Sequence, residues 1–177
     1  MCLVQAIGGN IMTASPISDL NPLLMAADTF LTLRSKDSGE RRVTLDHTFF
    51  TGYRRTVVQP REVLINISIP FTQQNEYFFG YKQARRREDD IAIVNAGCRV
   101  VFQPNSIEVL RLDLAFGGMA PTTVLALDTM KMAPQVSHLF IKLNSSLKPL
   151  LKTPLWLMKG LVVLLLHPLA ILCLLLK

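Results

Sequence analysis

The chain has 177 residues, half of them hydrophobic and 18% charged, with a net charge of +6. This length suffices for one compact domain or two small ones with a buried core. The basic residues are scattered, apart from Arg85-Arg86-Arg87, and Glu88-Asp89-Asp90 follows that run at once, so we expect no nucleic-acid partner.

The N-terminal part predicts a short helix followed by strands. Asn21 and Pro22 can begin a helix that reaches Ala27, with Asn21 as the N-cap and Pro22 at the first helical position. Residues 29–45 alternate polar and apolar side chains on both sides of a turn, which predicts a β-hairpin. Alternation over 64–69 predicts a half-buried strand that ends at a proline.

The following part predicts an antiparallel sheet. A polar link at 73–76 marks a subdomain boundary, and 77–82 reads as a strand. Residues 90–102 and 109–116 have the alternation of a second hairpin, and 122–132 has a helical pattern. The sequence therefore predicts an α+β fold.

The last part of the chain, 133–177, is a divergent apolar tail. Residues 161–176 are apolar except for His167 and Pro168, and with Gly160 they fall slightly short of the roughly 20 residues that a membrane-spanning helix needs. Pro168 weakens such a helix because it removes an intrahelical hydrogen bond. Two explanations stay open: a frameshift or retained intron that gives a non-native tail, or a genuine alternative end that is buried or inserted in a membrane.

One short motif carries chemistry. Gly8 and Gly9 allow the backbone to approach a ligand, and consecutive amides in such a bend form a concavity for an anion such as a pyrophosphate. Asn10, Thr13 and Asp19 add polar side chains nearby. As a pattern alone, the motif more often indicates a tight turn into a helix. It matches neither the Walker loop nor the spaced-glycine dinucleotide motif.

Several further runs follow the stretch from Gly8 to Pro22 in collinear order. They are residues 46–50, 52–54, 62–64, 69–70, 81–92 and 116–120. Over about Val4 to Lys131 the chain resembles the flavin domain of the xanthine dehydrogenase and aldehyde oxidase family, the molybdenum hydroxylases. The run Arg-Arg-Glu-Asp-Asp-Ile-Ala, 86–92, is more similar to the xanthine dehydrogenases.

The resemblance implies a partial two-subdomain FAD-binding domain. Residues 1–72 would be the second half of the FAD-binding domain, and 77–132 part of the flavoprotein C-terminal subdomain. The first half, with its Gly-Asn-Thr phosphate loop, would have to come from elsewhere. FAD is then the implied cofactor, and no metal site is expected. Its implied contacts are Ala6, Ile7, Gly8, Gly9, Asn10, Thr13, Asp19, Leu64 and Lys82.

Each implied contact has a role by resemblance. The backbone from Ala6 to Asn10 would hold the phosphates and ribitol, and Asp19 would meet the polar part of FAD. Leu64 would pack on the flavin or adenine, and Lys82 would lie near the isoalloxazine. The loop 83–91, with Arg86 and Asp89, would tune the flavin. Without the resemblance, Lys82 reads as a solvated lysine and Asp19 as an acid at a helix start.

In this family the flavin passes electrons to NAD or oxygen during purine oxidation, so no catalytic acid or base is expected here. The iron–sulfur modules of this family are not expected in this sequence, since Cys2, Cys98 and Cys173 form no CxxC pair. The large molybdopterin part that the resemblance implies has no counterpart in it either. Stand-alone turnover is therefore not expected, and whether the chain is itself an enzyme stays open. The alternatives are a truncated remnant without catalysis, or a tail-anchored membrane protein through 160–177. The resemblance implies a homodimer. The three separate cysteines favour a reducing compartment, so we expect a cytoplasmic location, with a membrane-associated or peroxisomal location as the alternative.

Overall fold

The computed structural model describes residues 6–86, 90–106 and 108–132. The predicted apolar tail and Asp89 lie outside these ranges. The elements, in chain order, are α1 (Ile7–Thr13), α2 (Asn21–Ala26), β1 (Phe30–Ser35), β2 (Gly39–Thr44), β3 (Phe50–Gly52), β4 (Arg55–Thr56), β5 (Glu62–Ser68), β6 (Glu76–Ala84), β7 (Ala92–Phe102), β8 (Val109–Gly117) and β9 (Val124–Leu125). Residues 127–132 are helical. Within the described ranges, no helix is both long enough and apolar enough to cross a membrane.

The predicted hairpin is present as β1 and β2. The two strands are antiparallel, and Gly39 closes the turn with φ of +75°, a conformation that glycine adopts without strain. Leu31 and Leu33 are fully buried and alternate with more exposed residues, so one face of β1 belongs to the core. β5 pairs antiparallel with the other side of β1, with a register shift between Thr32 and Leu33. The described sheet therefore has the order β2-β1-β5.

Helix α2 begins one residue earlier than predicted. Its N-cap is Leu20, whereas Asn21 is the first residue of the helix and is fully buried. Pro22 lies in the first turn, where a missing amide hydrogen costs nothing. The N-cap prediction for Asn21 is wrong, because the helix already includes Asn21 and its buried side-chain amide makes no capping hydrogen bond among the described residues.

The second sheet has the strand order β6-β7-β8-β9. The strands predicted at 77–82, 90–102 and 109–116 are confirmed. Each observed strand begins or ends one or two residues from its predicted bounds. The helix predicted over 122–132 is wrong in its first part, because Val124 and Leu125 pair with Phe116 and Ala115 as β9. A β-branched residue beside the open edge of β8 favours the strand over the helix there.

The described chain forms two compact units. The first comprises 6–71, 79–86, 90–98 and 114–125, and the second 72–78, 99–106, 108–113 and 126–132. In the first unit, the largest fully buried side chains come from α1, β1 and the segment after β2. They are Ile11, Leu31, Leu33, Leu45 and Phe49. In the second unit, the ring of Phe102 is fully buried and meets Tyr77 edge-on, with 5.8 Å between the ring centroids.

A charged cluster ties three strands together within the second unit. Arg99 of β7 lies between Glu76 of β6 and Asp113 of β8, with N–O distances of 2.5 Å and 3.9 Å. Arg111 contacts the same Asp113 at 2.8 Å. The side chains of Glu76 and Asp113 are only 7% exposed, so each carboxylate requires its cationic neighbour.

Two glycines allow α2 to pack against β6 and β7 in the first unit. A Cβ atom added at Gly80 would lie 2.7 Å from Leu23 Cδ2. A Cβ atom added at Gly97 would collide with the carbonyl oxygen of Pro22, which is a backbone atom and cannot rotate away. The absence of side chains at these two positions therefore sets how closely α2 approaches the strands.

We expect Gly97→Ala to lower the free energy of unfolding by about 1–3 kcal/mol, because the added methyl group overpacks the contact with Pro22. Urea unfolding of the full chain measures the difference. Gly52→Ala is the matched control, since the nearest atom to its new Cβ would be Arg55 Cδ at 4.0 Å. Equal stability of the two variants would contradict the close approach of α2.

Candidate functional site

The Gly8-Gly9 motif lies inside helix α1 and does not form an open bend. Ala6 is the N-cap, and among the described residues no side chain caps the first turn. The Asn10 amide donates to the Ala6 carbonyl at 3.1 Å. Because the first amides of a helix have no partner within the helix, this turn presents backbone donors much as the predicted concavity would. The buried side chain of Ile11 attaches the helix to the core of the first unit.

A cleft of about 430 Å³ lies between α1 and strand β5. Its lining residues are Gly8, Met12, Glu62, Val63, Leu64, Ile65, Asn66 and Ile67. A Cβ atom added at Gly8 would lie 3.9 Å from Leu64 Cδ2. The fold therefore brings together two residues that the sequence predicts as FAD contacts, 56 positions apart in the chain, and glycine at position 8 keeps the space between them open.

A second pair of predicted site residues also meets. Lys82 Nζ lies 2.7 Å from Asp19 Oδ2, which joins β6 to the segment between the two helices. Both side chains are more than a third exposed, at 38% and 39%. An exposed ion pair of this kind stabilises the fold little, by about 0–1 kcal/mol. The pair therefore keeps two charges accessible to a ligand and adds little to stability.

The remaining predicted residues lie along α1. Asn10 Oδ1 accepts a hydrogen bond from the Ser18 hydroxyl at 3.0 Å, and Ser18 directly precedes Asp19. Ala6, Ile7, Gly9 and Thr13 are exposed on the helix. The structure thus joins Gly8 to Leu64 and Asp19 to Lys82, and Asn10 connects α1 to the segment that carries Asp19.

The segment between α1 and α2 is held by a buried side chain that sequence reasoning missed. Asn95 of β7, 3% exposed, donates from Nδ2 to the Ser18 carbonyl at 2.7 Å. The Gly118 amide donates to the Pro16 carbonyl at 2.8 Å. The sequence did hold a sign of this contact, since an asparagine stands among the apolar residues of a predicted strand. A buried amide requires hydrogen-bond partners, so such a residue indicates a polar contact inside the core. These bonds fix the position of Asp19.

An ion pair that the sequence did not predict also borders the cleft. Arg41 of β2 reaches across β1 to Glu62 of β5, with its Nε 2.6 Å and its Nη2 2.8 Å from the two carboxylate oxygens. Arg41 Nη2 also donates to the Val57 carbonyl, and the Gln59 amide donates to Glu62. The side chain of Glu62 is 3% exposed. These bonds, from Arg41 first and Gln59 second, lower the pKa of Glu62 to about 2.

The depressed pKa of Glu62 predicts acid sensitivity of the cleft. The ionised Glu62 side chain contributes fully to the free energy of unfolding above the ordinary glutamate pKa of about 4.5. This contribution is lost as pH falls towards about 2. We expect Glu62→Gln to be less stable than the parent at neutral pH, with a shallower loss of stability in this acid range. Urea unfolding at several pH values measures both effects.

The control for this variant is Glu40→Gln, because Glu40 is 53% exposed and its ion pair with Arg34 is long, at 3.6 Å. We expect that variant to keep the pH dependence of the parent. An equally steep acid loss in Glu62→Gln would show that the Arg41–Glu62 pair is not its source.

Comparison with known proteins places these features in a family. Residues 4–72 match the FAD binding domain in molybdopterin dehydrogenase, and residues 79–135 match the CO dehydrogenase flavoprotein C-terminal domain. Xanthine dehydrogenase/oxidase of Gallus gallus is 59% identical over 128 residues, which are 72% of this chain and 9% of that protein. The Mus musculus protein is 58% identical over 126 residues, 71% of this chain and 9% of that protein. The chain thus spans about a tenth of the length of these relatives.

The fold is also that of a solved CO dehydrogenase chain. A structure of reconstituted CO dehydrogenase from Oligotropha carboxidovorans superposes with a TM-score of 0.65 at 22% identity, covering 72% of this chain and 43% of that chain. Three findings point to the same family. They are the two family matches along the chain, the identities of 58–59% and the shared fold. The chain therefore belongs, over these matched segments, to the FAD-binding flavoprotein part of the xanthine dehydrogenase/oxidase family of molybdenum hydroxylases.

Proposed function

We propose that this chain binds part of an FAD molecule in the cleft between α1 and β5. The observation that carries the proposal is the meeting of Gly8 and Leu64 in one cleft, within a segment that matches an FAD-binding domain. The first turn of α1 would offer its amides to the phosphates, and Thr13 would lie beside them. Asp19 and Lys82 would meet polar groups of the cofactor.

The residues of the cleft fit a flavin dinucleotide chemically. Met12, Leu64 and Ile65 supply apolar surface for a planar ring, and the backbone amides in the first turn of α1 supply donors for an anion. The volume of about 430 Å³ lies at the lower end of the range for small-molecule sites, about 300–1,000 Å³. The cleft therefore suits one portion of FAD, and polypeptide beyond residues 1–177 would contact the rest.

Bound FAD would supply the redox chemistry, while the side chains of this chain bind and orient the cofactor. Lys82 places a cation, and Asp19 an acceptor, at one end of β6. We infer that the chain acts as a flavin segment of a xanthine dehydrogenase-type oxidoreductase, in which electrons leave through FAD to NAD or oxygen during oxidation of hypoxanthine or xanthine. Iron–sulfur and molybdopterin groups would belong to the rest of such an enzyme.

This function implies that the chain is divided into parts of two flavoprotein domains. Residues 1–72 would be the second half of the FAD-binding domain and 77–132 part of the C-terminal flavoprotein subdomain, in a cytoplasmic homodimer. The family matches at 4–72 and 79–135 support a boundary between 72 and 79. A chain that folds but binds no flavin would instead be a remnant without catalysis.

Titration of FAD with the full chain tests the proposal, with quenching of flavin fluorescence as the measurement. We expect Lys82→Met to weaken FAD binding about 10- to 150-fold, because a hydrogen bond to a charged group contributes about 1.5–3 kcal/mol. Lys36→Met, at an exposed turn between β1 and β2, is the matched control and should bind as the parent does.

Three outcomes would overturn the assignment. The parent could leave flavin fluorescence unchanged while circular dichroism shows it folded, which favours the remnant. Lys82→Met could bind FAD as tightly as the parent. The two lysine variants could lose affinity equally, which indicates nonspecific charge attraction and not a site.

A further inference from the structure

A methionine gives one wall of the cleft a reactive sulfur. Met12 lies one helical turn after Gly8 on α1, and both residues line the cleft. Residues four apart in a helix share a face, so Met12 and Gly8 belong to the same wall. Met12 is 39% exposed, whereas Ile11 beside it is fully buried. Met12 is thus accessible from solvent on a helix that the core holds in place.

The opposite wall of the cleft offers mainly apolar side chains. The residues of β5 that line it are Glu62, Val63, Leu64, Ile65, Asn66 and Ile67. Arg41 occupies the carboxylate of Glu62. The Asn66 amide donates to Ser68 Oγ at 3.4 Å. Both polar side chains of this wall have partners of their own, so a new polar group on Met12 would meet mainly apolar surface across the cleft.

Oxidation of a methionine changes what its side chain offers to a ligand. Hydrogen peroxide transfers one oxygen atom to the thioether: the sulfur–oxygen bond forms as the oxygen–oxygen bond breaks, and water leaves with both protons. The sulfur loses two electrons and the peroxide gains them. The product, a sulfoxide, is polar and chiral where the thioether was apolar and flexible, and two reductases, one for each epimer, reverse the change.

We propose that Met12 is a reversible oxidation site that governs entry of the flavin into the cleft, with the thioether permitting and the sulfoxide opposing it. The inference rests on the proposed function, since the ligand is the flavin ring. Covering a sulfoxide with an apolar ring removes its hydration without supplying a hydrogen-bond donor, which is unfavourable. A bound ring, in turn, would cover Met12 and protect it from peroxide.

Burial separates Met12 from the other sulfur-containing side chains described in the first unit. Met25 on α2 is 3% exposed. Burial raises the pKa of the Cys98 thiol to about 11, so the thiol stays protonated at neutral pH and reacts slowly with peroxide. In the second unit, Met132 is 55% exposed and is not a lining residue of the cleft. Met132 is therefore the matched control for an accessible methionine outside the site.

The first measurement is the rate of oxidation at each methionine. The full chain is treated with dilute hydrogen peroxide, and mass spectrometry of its peptides follows the added oxygen. We expect Met12 to react about tenfold faster than Met25 or more, because only Met12 is open to solvent. Saturating FAD should slow the reaction of Met12 about tenfold and leave that of Met132 unchanged.

The second measurement compares FAD affinity before and after peroxide, by quenching of flavin fluorescence. We expect the oxidised parent to bind FAD about tenfold more weakly or worse, with an unchanged circular dichroism spectrum. The two reductases should restore its affinity. Met132→Leu should lose affinity on oxidation as the parent does. Met12→Leu, whatever its starting affinity, should have the same affinity before and after treatment because leucine has no sulfur.

The inference is overturned if Met12 resists peroxide under conditions that convert Met132, or if FAD leaves its rate of oxidation unchanged. It is also overturned if the oxidised parent binds FAD as before, or if Met12→Leu loses as much affinity as the parent, which would assign the effect to another group. Failure of the untreated parent to bind FAD overturns the proposed function, and this inference with it. The untreated sample therefore distinguishes the two failures.

Discussion

The position of the candidate site depends on the buried amide of Asn95. This side chain donates to the carbonyl of Ser18, whose hydroxyl in turn donates to Asn10 on α1. The bonds connect β7, the segment between the helices, and the helix that carries the glycine pair. Since the buried Nδ2 group of Asn95 would lose its acceptor if the segment moved, this bond favours one position of the segment. Asp19 directly follows Ser18, so its distance from Lys82 depends on these bonds.

The strands were predictable from the sequence, and the element ends were not. Alternation of side chains located β1, β2 and β5, and in β1 it follows the face that lies in the core. The start of α2 differed by one residue, since a buried Asn21 satisfies the pattern of an N-cap without occupying that position. β9 was missed because its pairing depends on the nearby edge of β8, which lies outside the local sequence.

The site was predictable in its residues only through the resemblance to a flavin domain. Local pattern cannot show that Gly8 and Leu64 share a cleft, because the hydrogen-bond register of β5 on β1 decides which side chains face α1. The Arg41–Glu62 pair was invisible for the same reason, since it crosses an intervening strand. The expected bend at the glycines is a helix start, which retains backbone donors in a different geometry.

The charged cluster of the second unit couples three positions of the sequence. Loss of Arg99 alone would leave Glu76 and Asp113 as two little-exposed carboxylates without their shared cation. A joint change to three apolar residues of similar volume would avoid that cost, because replacing a whole buried charge cluster is often neutral for stability. These positions should therefore covary among relatives, and an alignment would reveal the contact between β6, β7 and β8 even where the flavin residues are invariant.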